Sequence, residues 1–403
     1  MKLELPINVL NILNSLNEAG YDAYVVGGAV RSLLLGEKPK DYDICTNALP
    51  DTIEKLFENT IPTGKKYGTI TIVLLNEDNS AYEFYEVTTF RYDSPLTDGR
   101  RPDYVRFGET LLDDVDRRDF TINSIAYNPS TGLIDYKNGM KDIQDKIIRC
   151  VGDPTTRFKE DGLRILRAIR FAVRYKFLIH PDTLNAMIEL TVKNKSINVL
   201  NSISKERIHD EITNILSYDF SFLPDNDFNK IISILKYILD IEGEKNILTK
   251  DMLDGYFYIK KLIDFYKDAS IELVKNKLQY YKFSNNEIKI IINNIKAYQY
   301  LNKNRYTNFK YNLKMCWYMW GITSTFYSIY MMNLNKKEHN LLIQSLKEPS
   351  SLSELALNGN DIKENFDIKD KEIGTYLELA LFHIFDYPED NKKDILIKYL
   401  KTL

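Results

Sequence analysis

A glycine pair followed closely by two aspartates is the sequence feature that most restricts how this chain folds. Residues 25–36 read VVGGAVRSLLLG and residues 40–44 read KDYDI. This order predicts a short strand, a glycine turn that opens an apolar helix, and a second strand that carries the aspartates. Because side chains two apart on a strand point to the same face, Asp41 and Asp43 would present two carboxylates together, a hard-oxygen site suited to Mg²⁺.

The glycines predict a phosphate cradle beside that metal site. Gly27 and Gly28 leave room for a phosphate chain to approach the backbone at the start of a helix, whose N–H groups favour anions. Arg31 lies one helical turn past Gly27 and is placed to donate to the same triphosphate. A lone Asp-x-Asp is more often an N-cap and a solvated turn, but the glycine pair, Arg31 and the β-rich context favour nucleotidyl transfer.

Composition narrows the class of protein without naming an activity. With 44% hydrophobic and 28% charged residues, the 403-residue chain has the balance of a soluble globular protein. It has no apolar run long enough for a membrane span, and its start lacks the regions of a secretory signal, so a cytoplasmic protein is expected. The scattered cysteines, Cys45, Cys150 and Cys316, predict neither a disulfide framework nor a zinc site. A net charge of −3 argues against a general nucleic-acid coat but leaves room for a local basic track.

The hydrophobic pattern predicts an α+β protein. We expect a helix over 7–18, another over 50–57, and strands over 24–26, 41–45, 69–75 and 82–90, the last two forming a hairpin. After about residue 150 helical periodicity replaces the strand signals and persists to the end of the chain. Breaks are expected near 224–226, 302–304 and 349–351. The prediction is a mixed-sheet head followed by an all-helical remainder.

Glu86 is the candidate for a third carboxylate. It lies in residues 84–91, FYEVTTFR, on a predicted strand with apolar neighbours. A carboxylate on such a strand needs a partner, and a metal or a substrate hydroxyl would serve. Glu86 would then help to deprotonate an attacking hydroxyl or only complete the metal shell. Taken alone, an edge-strand glutamate in water is the more common case.

A second cluster of polar residues reads RRDFTINSIA over 117–126. Arg118 could bind phosphate, and Asp119 could accept a hydrogen bond from a ribose hydroxyl, with Asn123 nearby. The alternative is a capped helix whose arginines pair with the acidic residues Asp113, Asp114 and Asp116. That alternative explains some of the charge but gives no role to Asn123.

The third cluster is RFKEDGLRILRAIRFA over 157–172, within a basic track that continues to Lys176. Asp161 and Arg164, three apart, are predicted to share one helix face, where such a pair is usually a weak surface ion pair. The same pair could also select bases. Cytosine and adenine both offer an exocyclic amine beside an acceptor nitrogen, whereas uracil and guanine offer a carbonyl beside an N–H. Arg167 and Arg170 continue the stripe and could hold the base or its phosphates.

These motifs, in this order over about 170 residues, resemble those of class II tRNA nucleotidyltransferases. That family contains the CCA-adding enzymes and their bacterial poly(A) polymerase relatives. Residues 203–212, ISKERIHDEI, look like the last helix that the family shares. Residues 357–362, with Ile373 and Gly374, look like the tail of the shorter Gram-positive type. Ser32 departs from the family pattern, which commonly has aspartate after the arginine, and Lys371-Glu372 replaces an expected Gly-Pro.

The resemblance implies a fold and a role for each matching residue. It implies a polymerase-β-like nucleotidyltransferase head over 1–148, a helical neck over 149–215, a helical body over 216–345 and a tRNA-binding tail over 346–403. The implied roles are Mg²⁺ ligands at Asp41 and Asp43, a third catalytic carboxylate at Glu86, triphosphate contacts at Gly27, Gly28 and Arg31, nucleotide and ribose contacts at Arg118, Asp119 and Asn123, a base template at Asp161 and Arg164, and further nucleotide contacts at Arg167 and Arg170.

The implied activity is template-independent addition of CCA to the 3′ end of tRNA from CTP and ATP. An A-adding-only enzyme and a poly(A) polymerase of the same family are alternatives. Residues 90–102 resemble the mobile loop associated with A addition, which disfavours a CC-only enzyme. A nucleotidyltransferase of small molecules is disfavoured by the long helical part and the arginine stripe. A non-catalytic RNA-binding protein is disfavoured by the intact carboxylates. The sequence leaves the oligomeric state open.

Overall fold

The computed structural model describes residues 2–76, 78, 80–93, 105–193, 199–200, 203–239, 249–250 and 258–403. These residues form two compact units, the first within 2–239 and the second from 249 onward. Most of the loop predicted over 90–102 lies outside the described residues. The division into two units leaves the predicted limits of head, neck, body and tail as predictions.

The first unit contains a seven-stranded mixed sheet. Its strands, in the order β3-β4-β5-β2-β1-β8-β9, pair antiparallel except for β2 with β5, which are parallel. Two further pairs lie outside this sheet, β6 with β7 and β10 with β11. The strands are β1 Ala23–Val26, β2 Asp43–Thr46, β3 Thr60–Gly64, β4 Thr69–Leu75, β5 Tyr82–Thr89, β6 Arg91–Asp93, β7 Val105–Phe107, β8 Ala126–Asn128, β9 Gly132–Ile134, β10 Ile147–Ile148 and β11 Leu178–Ile179.

Ten helices belong to the same unit among the described residues. They are α1 Ile7–Glu18, α2 Gly28–Leu34, α3 Pro50–Leu56, α4 Leu111–Asp116, α5 Gly139–Asp145, α6 Pro154–Glu160, α7 Leu163–Tyr175, α8 Pro181–Ile188, α9 Lys205–Leu216 and α10 Asp225–Leu239. A 3₁₀ turn spans Thr121–Asn123, and one turn of π-helix spans Glu189–Lys193.

One face of the sheet packs on a core with α1, and the other face carries the site. That second face is covered by α4 at Val26, Cys45 and Ala126 and is open along β5. Helix α1 buries Val9, Ile12, Leu13 and Leu16, which recur at helical spacing and join the core with sheet residues such as Ile72. The alternation along β5 is the counterpart, because Tyr85 and Val87 enter this core while Glu86 between them is exposed. The polar residues of β5 therefore line the open face of the sheet.

The second unit is helical among its described residues. Its helices are α11 Tyr258–Tyr266, α12 Ile271–Tyr280, α13 Asn285–Lys303, α14 Phe309–Trp320, α15 Ile322–Met331, α16 Lys336–Ser345, α17 Gly359–Asn365, α18 Ile373–Asp386 and α19 Lys393–Leu400. Capping boxes begin α13, α16 and α17, each with an acidic residue three positions after the cap. The apolar faces of α18 and α19 form one core with Leu357 and Ile362.

The structure confirms most of the predicted elements. Helix α1 and strand β4 have the predicted bounds, β5 ends one residue early, and β4 pairs with β5 as the predicted hairpin. The expected breaks fall just before α10, at the end of α13 and between α16 and α17. Strand β11 is a two-residue exception to the helical remainder, because Leu178 and Ile179 extend alongside β10.

Two local predictions were wrong. Asp41 precedes β2, which begins at Asp43, so the two aspartates do not share a strand. Asp161 lies between α6 and α7 and does not share a helix face with Arg164, because the chain is extended there, at φ −145° and ψ 102°.

None of the helices within the described ranges combines the length and the apolar character that a membrane crossing requires.

Candidate active site

Strand pairing brings two of the predicted carboxylates together. Asp43 begins β2 opposite Val26, the last residue of β1. In the parallel pair of β2 with β5, Ile44 aligns with Val87, so Asp43 and Glu86 lie next to each other on the open face of the sheet. Asp41 is two residues upstream and exposed. The pairing of strands that are distant in the sequence therefore creates the acidic site.

The surroundings of Asp43 disfavour the charged form of its carboxylate. Asp43 has an exposed surface, but neighbouring atoms partly desolvate its carboxylate. This desolvation, together with the charges of Asp41 and Glu86, raises the pKa of Asp43 to about 6, and the charge of Arg118 opposes the shift. No group of three or more His, Cys, Asp or Glu side chains is gathered as a metal site in the described part of the chain. The three candidate carboxylates are therefore not drawn together as a ready-made metal site among these residues.

The glycine turn forms the edge of this site. Gly27 has φ 69°, a left-handed conformation that favours glycine. A Cβ atom on Gly27 would lie 3.1 Å from Nη1 of Arg118 and 4.0 Å from Oδ2 of Asp43. Gly28 begins α2, and a Cβ atom there would lie 3.6 Å from Nη2 of Arg31. The turn therefore places backbone next to two arginines and an acidic residue.

Arg31 points into protein and not into open solvent. It is 6% exposed, and its Nη1 donates to Oδ1 of Asn123, 92 positions away. Its guanidinium lies 5.0 Å from the ring centres of both Phe171 and Tyr175 on α7. Burial lowers the pKa of Arg31. The predicted triphosphate ligand is therefore held between the 3₁₀ turn and α7, with its Nε lacking a hydrogen-bond partner.

Asp119, predicted to contact a ribose, accepts hydrogen bonds from several residues of the protein. Its Oδ2 accepts from Nε and Nη2 of Arg167 at 2.9 and 2.6 Å. Its Oδ1 accepts from Nδ2 of Asn123 at 2.9 Å and from the backbone N–H of Phe120 at 2.8 Å. Burial by itself would raise the pKa of Asp119, but Arg167 and the bond from Asn123 hold it well below its usual value. Asp119 thus links α7 to Asn123 and, through Asn123, to Arg31.

Asp114 holds both arginines of the second cluster. It is fully buried, and it pairs with Arg117 at 2.5 Å and with Arg118 at 2.7 Å. Nη1 of Arg118 also donates to the carbonyl oxygen of Asn123 at 3.3 Å. The structural alternative of the sequence analysis is therefore present, through Asp114, and it fixes Arg118 beside Gly27.

The predicted base template has other partners in this structure. Nη1 of Arg164 donates to Oε2 of Glu160 at 2.8 Å, and Nη2 donates to the carbonyl oxygen of Arg117 at 2.9 Å. Asp161 pairs with Arg207 of α9 at 3.5 Å, and its Oδ1 accepts from the backbone N–H of Leu163 at 3.0 Å. No ion pair joins Asp161 directly to Arg164 within the described ranges.

The arginines of α7 recur at helical spacing, and Arg167, Arg170 and Arg174 each meet a carboxylate from a distant part of the chain. Arg170 donates from Nε to Oε2 of Glu211 on α9 at 2.7 Å. Arg174 lies 3.8 Å from Glu37. The ring of Phe171 has the guanidiniums of Arg170, Arg31 and Arg167 at 4.4, 5.0 and 5.3 Å from its centre. Cations from α7 and from α2 therefore converge on one buried aromatic ring.

Sequence reasoning missed several members of these networks. Phe171 lies within the arginine-rich segment 157–172, but its contact with Arg31 depends on the position of α2, which no pattern near Phe171 indicates. Glu211 and Arg207 lie on α9, in a segment that the sequence analysis related to other proteins without giving these residues a role. Alternation of arginine with apolar residues in α7 was the available signal that each arginine needs a partner.

Comparisons with known proteins extend over the whole chain. Residues 23–149 match the family described as the poly(A) polymerase head domain. A CCA-adding enzyme of Lactococcus lactis is 32% identical over 396 residues, 94% of each chain. A CCA-adding enzyme of Lactobacillus johnsonii is 44% identical over 202 residues, which are 50% of this chain and 48% of that enzyme. The aligned part thus spans about half the length of that relative.

Solved structures agree with these relatives. A CCA-adding enzyme of Bacillus stearothermophilus in complex with CTP matches with a TM-score of 0.62 at 26% identity, over 99% of this chain and 98% of that chain. A Thermotoga maritima CCA-adding enzyme complexed with tRNA matches with a TM-score of 0.67 at 22% identity, over 100% of both chains. The second match concerns the fold alone.

Proposed function

This chain belongs to the CCA-adding enzyme family, and from this premise we propose that it adds C, C and A to the 3′ end of tRNA from CTP and ATP. The observation that carries the proposal is the juxtaposition of Asp43, Glu86 and the Gly27 turn on the open face of the sheet. Acidic oxygens beside an anion-binding turn suit the transfer of a nucleotide from a triphosphate. Such an enzyme would work in the cytoplasm, where tRNA matures.

The acidic oxygens fit a divalent cation. The donors are hard carboxylate oxygens. Desolvation, and then the charges of Asp41 and Glu86, raise the pKa of Asp43 against the charge of Arg118, and a cation bound beside it would offset both effects. We propose Mg²⁺ as the ion, with Asp41 and Asp43 as its ligands. Bound there, it would activate the attacking hydroxyl and neutralise charge on the triphosphate.

The residues of the chain orient the two reactants. The 3′-oxygen of the RNA forms a bond to the α-phosphorus, the bond to the pyrophosphate oxygen breaks, and the hydroxyl proton passes to Glu86 or to solvent. Gly27 and Gly28 admit the triphosphate, while Arg118 and Arg31 supply positive charge to it. Because both arginines are held by buried partners, the cradle is preorganised, and positioning supplies much of the rate.

Base choice is assigned to Arg164 on α7 and to Asp161, two residues before that helix. In the proposal, Asp161 accepts from the exocyclic amine of cytosine or adenine, and Arg164 donates to the neighbouring ring nitrogen. The incoming base would exchange for their present partners, Arg207 and Glu160. Arg167 and Arg170 hold the nucleotide further along the same face, and Asp119 and Asn123 contact its ribose or hold Arg167 in place.

We assign tRNA binding to the helical parts of the chain. We propose 149–215 as the neck, 216–345 as the body and 346–403 as the tRNA-binding tail, in line with the resemblance of the motifs. Within the tail, a Cβ atom on Gly359 would lie 3.4 Å from Cγ2 of Ile373, so the two quoted tail segments pack on each other.

The function is tested by measuring the lengths of the products in an extension assay. Purified protein is given tRNA transcripts that lack CCA or end in CC, with Mg²⁺ and with CTP, ATP or both. The proposal expects two additions from CTP alone, one addition of A to the CC-ended transcript, and termination after CCA. Addition of A only, or long A tails, would instead identify one of the family alternatives.

A matched variant tests the chemistry. Asp43→Asn keeps the size of the side chain and removes its charge, and we expect roughly a hundredfold or greater loss of kcat with unchanged thermal unfolding. Asp22→Asn, elsewhere in the same unit, serves as the control and should retain activity. Near-normal extension by Asp43→Asn would contradict the metal assignment.

A further inference from the structure

An exposed aromatic strip continues along β5 from the acidic site. Phe84 and Tyr82 lie on the same face of the strand as Glu86, because they precede it by two and four residues. Their side chains are 61% and 65% exposed, whereas the intervening Tyr85 is buried in the core. Large aromatic rings in open solvent need an explanation when they form a continuous row.

The neighbouring strands widen this row into a surface. Phe84 pairs with Val73 and Tyr82 pairs with Leu75 of β4, and Leu75 is 43% exposed. Ile61 of β3, which pairs with Thr71 of β4, is also 43% exposed. We define Ile61, Leu75, Tyr82 and Phe84 as the hairpin strip. No strand residue of β3, β4 or β5 on this face is charged from Phe84 to the end of the hairpin, within the described ranges.

We propose that the hairpin strip is the stacking surface for the single-stranded 3′-terminal bases of the RNA acceptor. The inference rests on the proposed function and names how the acceptor reaches the carboxylates. Neutral aromatic surfaces bind bases through their π-faces, and they accept any base, which an enzyme that serves many tRNAs requires. Phosphate recognition would instead need cations, and the strip has none.

Continuity with the acidic site favours RNA over a protein partner. At about 3.4 Å per strand residue, Phe84 is about 7 Å and Tyr82 about 14 Å along β5 from Glu86. Successive nucleotides of a helically stacked strand are about 3.4 Å apart. Phe84 and Tyr82, about 7 Å apart, are thus separated by about two such steps. An acceptor whose terminal hydroxyl lies at Glu86 can place alternate stacked bases over Phe84 and then over Tyr82 without leaving the open face.

The test replaces both rings. The double variant Tyr82→Ser with Phe84→Ser removes stacking, and Tyr136→Ser is the control, since Tyr136 is 52% exposed in the β9–α5 loop of the same unit. The probe is a tRNA transcript that lacks CCA and carries 2-aminopurine as its unpaired 3′-terminal base, whose fluorescence falls on stacking. We expect a tenfold or greater rise in KM for this tRNA, loss of the fluorescence quench on binding, and an unchanged KM for CTP.

Two further comparisons complete the test. Phe84→Trp keeps an aromatic ring and should retain the quench and the KM for tRNA. A transcript trimmed to a blunt acceptor end should bind the double variant and the wild type alike. A double variant that quenches 2-aminopurine and extends tRNA as the wild type does would overturn the inference, as would equal loss of affinity for the blunt transcript. Failure of the proposed function would instead appear as a wild-type protein that adds neither C nor A.

Discussion

Replacing Asp114 by asparagine is the perturbation whose size the structure defines best. The carboxylate is fully buried and accepts two bonds from Arg117, at 2.8 and 2.5 Å, and two from Arg118, at 3.1 and 2.7 Å. Asp114→Asn keeps the shape and leaves two guanidiniums facing a neutral amide. Breaking a buried pair costs about 3–5 kcal/mol, and because the arginines are 19% and 15% exposed we expect the lower end, about 3 kcal/mol.

The pH dependence gives an independent measure of the same interaction. Burial acts to raise the pKa of Asp114, but the charges of Arg117 and Arg118 outweigh it and lower the pKa from 3.8 to about 2. At 1.36 kcal/mol per pKa unit, this difference contributes about 2 kcal/mol to the free energy of unfolding. Because the folded-state pKa is the lower one, the contribution is complete well above pH 3.8 and is lost as the pH falls toward 2.

Urea unfolding at pH 7, 5, 4 and 3 measures both effects. The difference in free energy of unfolding between wild type and Asp114→Asn should be about 3 kcal/mol at pH 7 and should shrink as the pH falls below 4. Asp116→Asn is the control, since its pair with Lys137 is exposed and should contribute less than about 1 kcal/mol. Because Arg118 loses its anchor, the KM for CTP should also rise in Asp114→Asn. An unchanged stability at pH 7, or a difference independent of pH, would refute this reasoning.

Three other substitutions test the cradle, the base template and the aromatic ring. Gly27→Ala should destabilise by about 1–2 kcal/mol and raise the KM for CTP and ATP, because φ is 69° and Arg118 would lie 3.1 Å from the new methyl group. Asp161→Ala should increase incorporation of UMP and GMP more than it lowers kcat for CTP, as measured by product sequencing. Phe171→Leu should raise the KM for both nucleotides several-fold and destabilise by about 1–2 kcal/mol, since it removes the ring that three guanidiniums contact.

Each of these has a matched control. Gly20→Ala also places a methyl group at positive φ, 85°, but with no atom within 4 Å, so the KM for nucleotides should not change. Asp153→Ala removes the N-cap of α6 and should leave base choice intact. Phe158→Leu alters a buried ring with no guanidinium contact among the described cation–π pairs, so it should lower stability alone. Equal nucleotide KM changes in a variant and its control, or an unchanged rejection of UTP and GTP in Asp161→Ala, would contradict the assignments.

The local elements of the head followed from the sequence because their causes are short-range. Alternation of buried and exposed residues in β5 is visible in the chain, and the polar turn before Tyr82 sets the hairpin with β4. The glycine turn before α2 was expected for the same reason, and the structure adds that Gly27 has a positive φ there. The errors also have a local cause. Spacing of two suggested a shared strand for Asp41 and Asp43, but the ladder with β1 starts only at Asp43.

The partners of the charged residues could not be predicted from spacing. Arg164 and Asp161 are three apart, yet each pairs elsewhere, since the chain breaks helical geometry between α6 and α7. Asp119 meets Arg167 across 48 positions, and Arg170 meets Glu211 across 41. Long-range ion pairs depend on helix packing, which has no signature in a local window.

The sequence by itself determined which chemistry is available: acidic oxygens, a glycine turn, a cationic helix face and an aromatic hairpin, each set by neighbouring residues in the chain. Only the tertiary structure decided which of those groups remain exposed and which pair with other side chains inside the protein. Asp43, Glu86 and the rings of Phe84 and Tyr82 are exposed on the open face of the sheet. Asp119 and Asp114 are enclosed by arginines, because a buried carboxylate is stable only with opposite charge beside it.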